Sequence, residues 1–391
     1  MVDTALAAFK ENNMKIEYQI QNEKFITAID PATNQFAVKS QPRTYTVDFI
    51  KDSNNFKWLA DEIAKQSKPL ILIDRQVKNT LLPHLNLDQY PCYEVDAVET
   101  NKDITNVLEV CDFLNTNSAN RGSMLYVIGG GIIQDLGAFA GYMYKRGIPW
   151  SFVPTTLLAQ ADSCLGGKTA VNHNSTKNVL GLFSAPRQVF IDPAFIPTLT
   201  HDDCMSGGGE IFRLLVTGGP DSFAYFNKYV DDFVIGSTSA IQNLTIGSLS
   251  VKQAIVEFDE FELDIRRSMN YGHSIGHAVE ALTNYAVPHG QGVAIGILVE
   301  NRIARNRGML SAEQDDAIYA AGRKIITNKV WDIFAAIDPE QLLPFLANDK
   351  KAVGSMLKLA TLQSLGDMKF VDLPLNSEGI QEVKKAIQQV I

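Results

Sequence analysis

Cysteine is scarce. The 391 residues hold four (Cys92, Cys111, Cys164 and Cys204), far apart and with no CxxC pair. That excludes a cysteine-only zinc site of the usual spacing and argues against a disulfide framework, so a reducing, cytoplasmic setting is expected. Basic blocks are missing as well. With 35 basic against 44 acidic residues the net charge is −9, and no run of five or more basic residues occurs. There is no electrostatic footprint for nucleic acid or an anionic membrane surface, and neither is expected as a partner. No apolar run approaches the ~18 residues of a membrane helix. The opening MVDTALAAFKENN has neither the basic nor the apolar region of a secretory signal. Internal repeats and low-complexity linkers are absent, and histidine is rare at six residues, so any clustering of it carries information.

What is present is globular: 46% hydrophobic and 20% charged residues, in a chain long enough for two domains. Residues 1–43 read as a polar N-terminal extension, in which KIEYQI and QFAVK suit a hairpin or an added sheet edge. From Thr44 strands and helices alternate. TYTVDFI, PLILID, SMLYVI and WSFVP read as strands, and FKWLADEIAKQ, residues 103–117 and residues 132–144 as helices. That order predicts parallel βαβ units. After about Asp192 the pattern turns helical. The expectation is an α/β domain over 44–198 and an all-α domain over 199–391, with a ligand cleft between them.

Four groups of residues suggest chemistry. Gly129-Gly130-Gly131, between an apolar strand and a helix, lets backbone approach a phosphate at a helix N-terminus. Gln134 stands where the third glycine of GxGxxG would be, and Asp135 follows it. A plain tight turn explains the glycines about as well. His273, His277 and His289 fall within seventeen residues, and His273 and His277 share a helix face at i, i+4. Capping or core histidines would look alike singly, but the cluster favours a metal, with Glu210 of SGGGE as a candidate carboxylate. GGKTAVNHNSTKN brings Lys168, Asn172, Lys177 and Asn178 into an anion-binding or merely solvated loop. Lys252, Arg266 and Asn270 precede the histidines at spacings that fit related helix faces, as a surface charge stripe also would.

Taken jointly, PTTLLAQADSCLGGKTAV with its following KN, GGGIIQD, YMYKRG, RRSMNYGHSIGHAVEA and HGQGVAIG closely resemble 3-dehydroquinate synthase and its sugar phosphate cyclase relatives. The resemblance covers roughly residues 45–360. It implies an NAD-binding α/β domain, a helical domain and a metal between them, in a homodimer. By position it assigns the metal (zinc or cobalt) to Glu210, His273 and His289, and moves His277 to the substrate side. It assigns NAD to Asp74, Glu99, Lys102, Gly130, Gly131, Asp135, Thr155 and Thr156, with Lys168 and Lys177 of the signature loop nearby. Substrate positions are Asp162, Lys168, Asn178, Lys252, Arg266, Asn270 and either Lys350 or Lys351, while Arg146 reaches across the dimer interface.

The implied reaction converts a seven-carbon phosphorylated keto sugar acid to 3-dehydroquinate. A secondary alcohol is oxidised by bound NAD, phosphate is eliminated, the hydride returns, and an intramolecular aldol closes the ring. Three departures from the family pattern stand out. Arg213 replaces the lysine of Glu-x-x-Lys and is expected to point into the Glu210 cleft and bond a substrate hydroxyl. Asn174-Ser175-Thr176-Lys177-Asn178 lacks the usual loop glycine, and residues 1–43 exceed the usual start. These raise sister cyclases as alternatives, making aminodehydroquinate, 2-deoxy-scyllo-inosose or a sedoheptulose-derived ring. A metal-dependent NAD alcohol dehydrogenase is a more distant one.

Overall fold

The computed structural model describes residues 14–40, 43–174, 176–347 and 352–391. Contacts divide it into two units: Thr33–Leu199, and the described residues through Ala32 together with Thr200–Ile391.

Met14–Ile20 (β1) and Glu23–Ile29 (β2) form a hairpin across the two-residue turn Gln21–Asn22. The α/β unit contains Gln35–Val38 (β3), Tyr45–Phe49 (β4), Pro69–Asp74 (β5), Cys92–Val95 (β6), Met124–Gly129 (β7) and Trp150–Pro154 (β8). Lys168–His173 (β9), Thr176–Phe183 (β10) and Gln188–Ile191 (β11) complete it. Seven of these make one sheet in the order β3-β4-β11-β8-β7-β5-β6. All its pairings are parallel except β3 with β4. The central strands read as unbroken apolar runs because helices cover both faces, and every residue of β8 is buried. β9 and β10 stand apart as a two-stranded ribbon.

In the other unit Ala352–Val353 (β12), Met356–Ser364 (β13) and Asp367–Pro374 (β14) build a five-stranded sheet, β12-β13-β14-β1-β2. Helix His289–Asn306 is the core of this unit and is buried nearly all round.

The parallel α/β part and the mainly helical part match expectation, with three corrections. KIEYQI (in β1) and QFAVK (in β3) do not pair with each other: β1 takes β2, and β3 is the added antiparallel edge. The second domain is not purely helical, because LKLATLQS and DMKFVDLP form β13 and β14 around the turn at Leu365-Gly366. Finally, residues 14–32, expected within a polar N-terminal extension, cluster with Thr200–Ile391. β1 pairs in parallel with β14, Tyr18 donates its hydroxyl proton to the Val251 carbonyl at 3.0 Å, and Ile16, Tyr18, Ile20, Phe25 and Ile29 are buried. The described unit boundaries fall at Ala32/Thr33 and Leu199/Thr200.

Candidate active site

Two helix crossings assemble the histidine cluster. Helix His201–Thr217 passes helix His289–Asn306 at Gly209 and Gly290, so closely that a Cβ on Gly209 would lie 1.9 Å from the Gly290 carbonyl oxygen. Helix His273–Leu282 meets the same central helix where a Cβ on Gly296 would lie 1.9 Å from the Gly272 carbonyl oxygen. Only glycine permits this backbone approach. The glycines of SGGGE and YGHS therefore set Glu210, His273 and His289 side by side.

The Glu210 carboxylate is buried, with Oε1 at 3.0 Å from His289 Nε2 and 3.4 Å from His273 Nε2. Each imidazole is held from behind through its other nitrogen. His289 Nδ1 lies 2.9 Å from Glu280 Oε1, and His273 Nδ1 lies 3.1 Å from the Tyr271 carbonyl oxygen. Both contacts suit Nδ1 as donor, and both Nε2 atoms converge with Oε1. This is the donor set of a zinc-type site, two imidazoles and a carboxylate, with its outer hydrogen bonds in place. The residues fit a divalent transition metal. His277 completes a group in which one nitrogen from each of three histidines lies within 4.8 Å of the others. Its ring is more exposed, with centroids 5.2 Å and 5.5 Å from those of His273 and His289.

Charges reinforce the geometry. Burial opposes ionisation of Glu210, but the Arg213 guanidinium and the two imidazoles hold its carboxyl well below the usual range. Burial likewise disfavours charge on His289, yet the Glu280 and Glu210 carboxylates raise it to about 10. For His273 burial prevails and lowers it. Arg213, which the sequence pattern aims at substrate, donates from Nε to Glu210 Oε2 at 2.6 Å. Lys252 (on helix Thr238–Phe258) and Arg266 are both buried. Arg266 and Asn270 occupy a 3₁₀ segment, Ile265–Asn270, so the expected shared α-helical face is replaced by a tighter turn. Arg266 donates from Nη1 to the Glu260 carbonyl, and Asn270 from Nδ2 to Glu262 Oε1 at 3.1 Å.

The α/β unit gathers most of the residues matched to NAD. Lys102 pairs with Asp135 at 2.9 Å, and Asp135 Oδ1 accepts from the Ala170 amide at 3.2 Å. Burial raises the Asp135 carboxyl against the pull of Lys102. Glu99 accepts from the Asn172 side chain at 2.9 Å and faces Lys177 at 3.8 Å. The Asn178 amide donates to Asn172 Oδ1 at 2.9 Å, and Asn174 and Asn178 adopt left-handed backbone where the family loop has glycine nearby. Gly130 caps helix Gly131–Met143 beside Thr156, Gly131 has open space around it, and the Thr155 amide donates to the Gly129 carbonyl. Asp74 caps its own helix through the Gln76 amide. Asp162 lies in a π-helical turn, Ala159–Ser163, while Lys168 and Arg146 are exposed. Lys350 and Lys351 fall outside the described residues.

Sequence reasoning missed two partners. Glu280 follows His273 by seven residues, two turns along the same helix face, which is the signal that would have found it. Gln134, taken only as a departure from GxGxxG, exchanges two hydrogen bonds with Ser163 at 2.6 and 2.7 Å and so anchors the turn that carries Asp162.

Family models place the chain among known proteins. The 3-dehydroquinate synthase N-terminal model matches residues 92–206 and the C-terminal model residues 207–352. A 3-dehydroquinate synthase of Desulforamulus reducens is 33% identical over 70% of this chain and 76% of its own length. A 2-epi-valiolone synthase of Actinosynnema mirum is 36% identical over 59% of this chain and 61% of its own. Among solved structures, 2-deoxy-scyllo-inosose synthase complexed with carbaglucose-6-phosphate, NAD+ and Co2+ superposes with a TM-score of 0.80 at 21% identity. That match covers 91% of this chain and 99% of the other, and it establishes the fold.

Proposed function

Because the chain belongs to the 3-dehydroquinate synthase family, we propose that it is a phosphate-eliminating sugar phosphate cyclase. Its proposed substrate is a seven-carbon phosphorylated keto sugar acid and its products are 3-dehydroquinate and phosphate. The observation that carries the reading is the convergence of Glu210 Oε1 with the Nε2 atoms of His273 and His289 inside a family-matched segment. When bound, NAD takes up and returns one hydride per turnover, and zinc or cobalt polarises the reacting oxygen.

The chain's own residues bind and orient. Lys252 and Arg266, two buried cations on neighbouring segments, read the substrate carboxylate, with Asn270 beside them. Lys168, Asn178 and a partner-facing Arg146 neutralise phosphate in a cytoplasmic homodimer. His277, exposed at the edge of the histidine cluster, moves a proton at the substrate. Losing one charge-assisted bond costs about 1.5–3 kcal/mol, so Arg266→Ala is expected to lower kcat/KM at least tenfold. A sister cyclase is the second reading, favoured by Arg213 in the lysine position.

Purified protein with a panel of seven-carbon sugar phosphates decides, reading phosphate release and product mass. Release of phosphate from the carboxylated substrate, without net NADH, supports the proposal. Turnover restricted to substrates lacking a carboxylate moves the chain to the sister cyclases. Accumulating NADH would make it a dehydrogenase.

A further inference from the structure

We propose that Arg213 is a positioning residue for the carboxylate of Glu210 rather than a contact to substrate. It occupies Oε2, so that Oε1 alone is presented to a metal. This rests on the metal reading above and assigns a role to the residue at which the chain leaves its family's pattern.

Glu210 and Arg213 are one turn apart on helix His201–Thr217, and each side chain is 2% exposed. Arg213 ranks among the largest fully buried side chains of the described residues. Its Nε–H meets Oε2 at 2.6 Å, whereas Oε1 lies 3.0 and 3.4 Å from the two imidazole nitrogens. The two oxygens thus have separate duties. The guanidinium is a rigid planar fork of donors whose Nε–H is spent on Oε2, while a lysine ammonium is a compact charge on a flexible stem and imposes no such plane. Arginine here therefore holds the Oε2 side of the carboxylate in place and leaves Oε1 turned toward the two imidazoles. A buried ion pair is weak support for stability taken alone, and its directional geometry beside converging metal donors is what this pair supplies. The Arg213 carbonyl is engaged too, accepting from Thr217 Oγ1 at 2.9 Å, which ties the same helical turn.

The test uses the full chain without substrate and with the metal alone. Zn2+ affinity is read by competition with a chromophoric chelator, and coordination by the visible absorption of the Co2+ form. R213M is expected to weaken Zn2+ binding by about 10–100-fold and to change the Co2+ spectrum. R213K should recover most of the affinity but keep an altered spectrum, since its ammonium restores the charge without the planar Nε–H bond to Oε2. Affinity and spectrum of R213M equal to those of the unmodified protein, with only the substrate KM raised, would overturn the inference. Should R213M fail to fold, R213K decides: an unchanged Co2+ spectrum refutes it. An unmodified protein that binds no metal at stoichiometry would refute the metal reading itself, a result distinct from either variant outcome.

Discussion

Two of the three clustered histidines are oriented by a contact through Nδ1. His273 and His289 spend Nδ1 on a carbonyl and a carboxylate and turn Nε2 toward Glu210. His277 shares their neighbourhood and remains exposed. His289→Ala is therefore expected to abolish stoichiometric metal, and His277→Ala to keep metal while losing turnover, measured by metal analysis beside phosphate release. Glu280→Gln keeps an acceptor for His289 but removes its charge. Metal affinity, read by chelator competition, should fall about 10–100-fold, and the metal-free protein should melt lower at neutral pH because the charge that raises His289 is gone. Much of this cluster was legible from residue spacing. The i, i+4 rule pointed to His273 with His277, and only the resemblance to a known family replaced His277 by His289. What spacing cannot convey is the ring orientation, because Glu280 and the Tyr271 carbonyl impose it from outside the ligand set.

Among the elements, the helices that cross on glycine decide where the cluster forms. Gly209→Ala would drive a methyl group into the Gly290 carbonyl, which belongs to rigid backbone. Overpacking of this kind costs about 1–3 kcal/mol, sometimes more. Both thermal stability and metal content should drop, and a variant that melts and binds metal like the parent would contradict the crossing. The SGGGE motif was read in sequence as the setting of a carboxylate, since nothing local tells which helix a glycine will touch. A second element with a defined charge is the loop before the histidine helix. Asp259 accepts backbone protons from Leu263, Asp264 and Arg266, each at 2.9 Å. Burial acts against its ionisation, but these three amides prevail and lower its pKa. A carboxyl depressed on folding stabilises above its unfolded pKa near ~3.9, and that contribution is lost as pH falls through the folded value. Asp259→Asn is expected to cost ~1.5 kcal/mol at neutral pH, with the gap to the parent closing in acid. A gap independent of pH in thermal melts would refute the charge assignment.

For the whole molecule, the helical unit is discontinuous and the α/β unit is contiguous. Local pattern could not reveal this. KIEYQI is a plain alternating strand whose partner on one side, β14, lies at the other end of the sequence, and the hydrophobic period carries no record of the pairing. Removal of residues through Ala32 would expose the β14 edge and take away the buried side chains of β1 and β2. The truncated chain is expected to lose most soluble yield and to melt well below the parent, and unchanged melting would show those residues to be dispensable. The same pairing has a consequence in time. Gln19 meets Asp367, a separation of about 350 residues, and a ribosome adds ~5–20 residues per second. The β1–β2 hairpin thus waits roughly 20–70 s after its synthesis before its neighbouring strand exists, with one edge uncovered. The α/β unit, complete at Leu199, is free to fold during that interval. Slowing translation lengthens the exposure of the hairpin, which makes the nascent β1 edge a point at which a chaperone would matter.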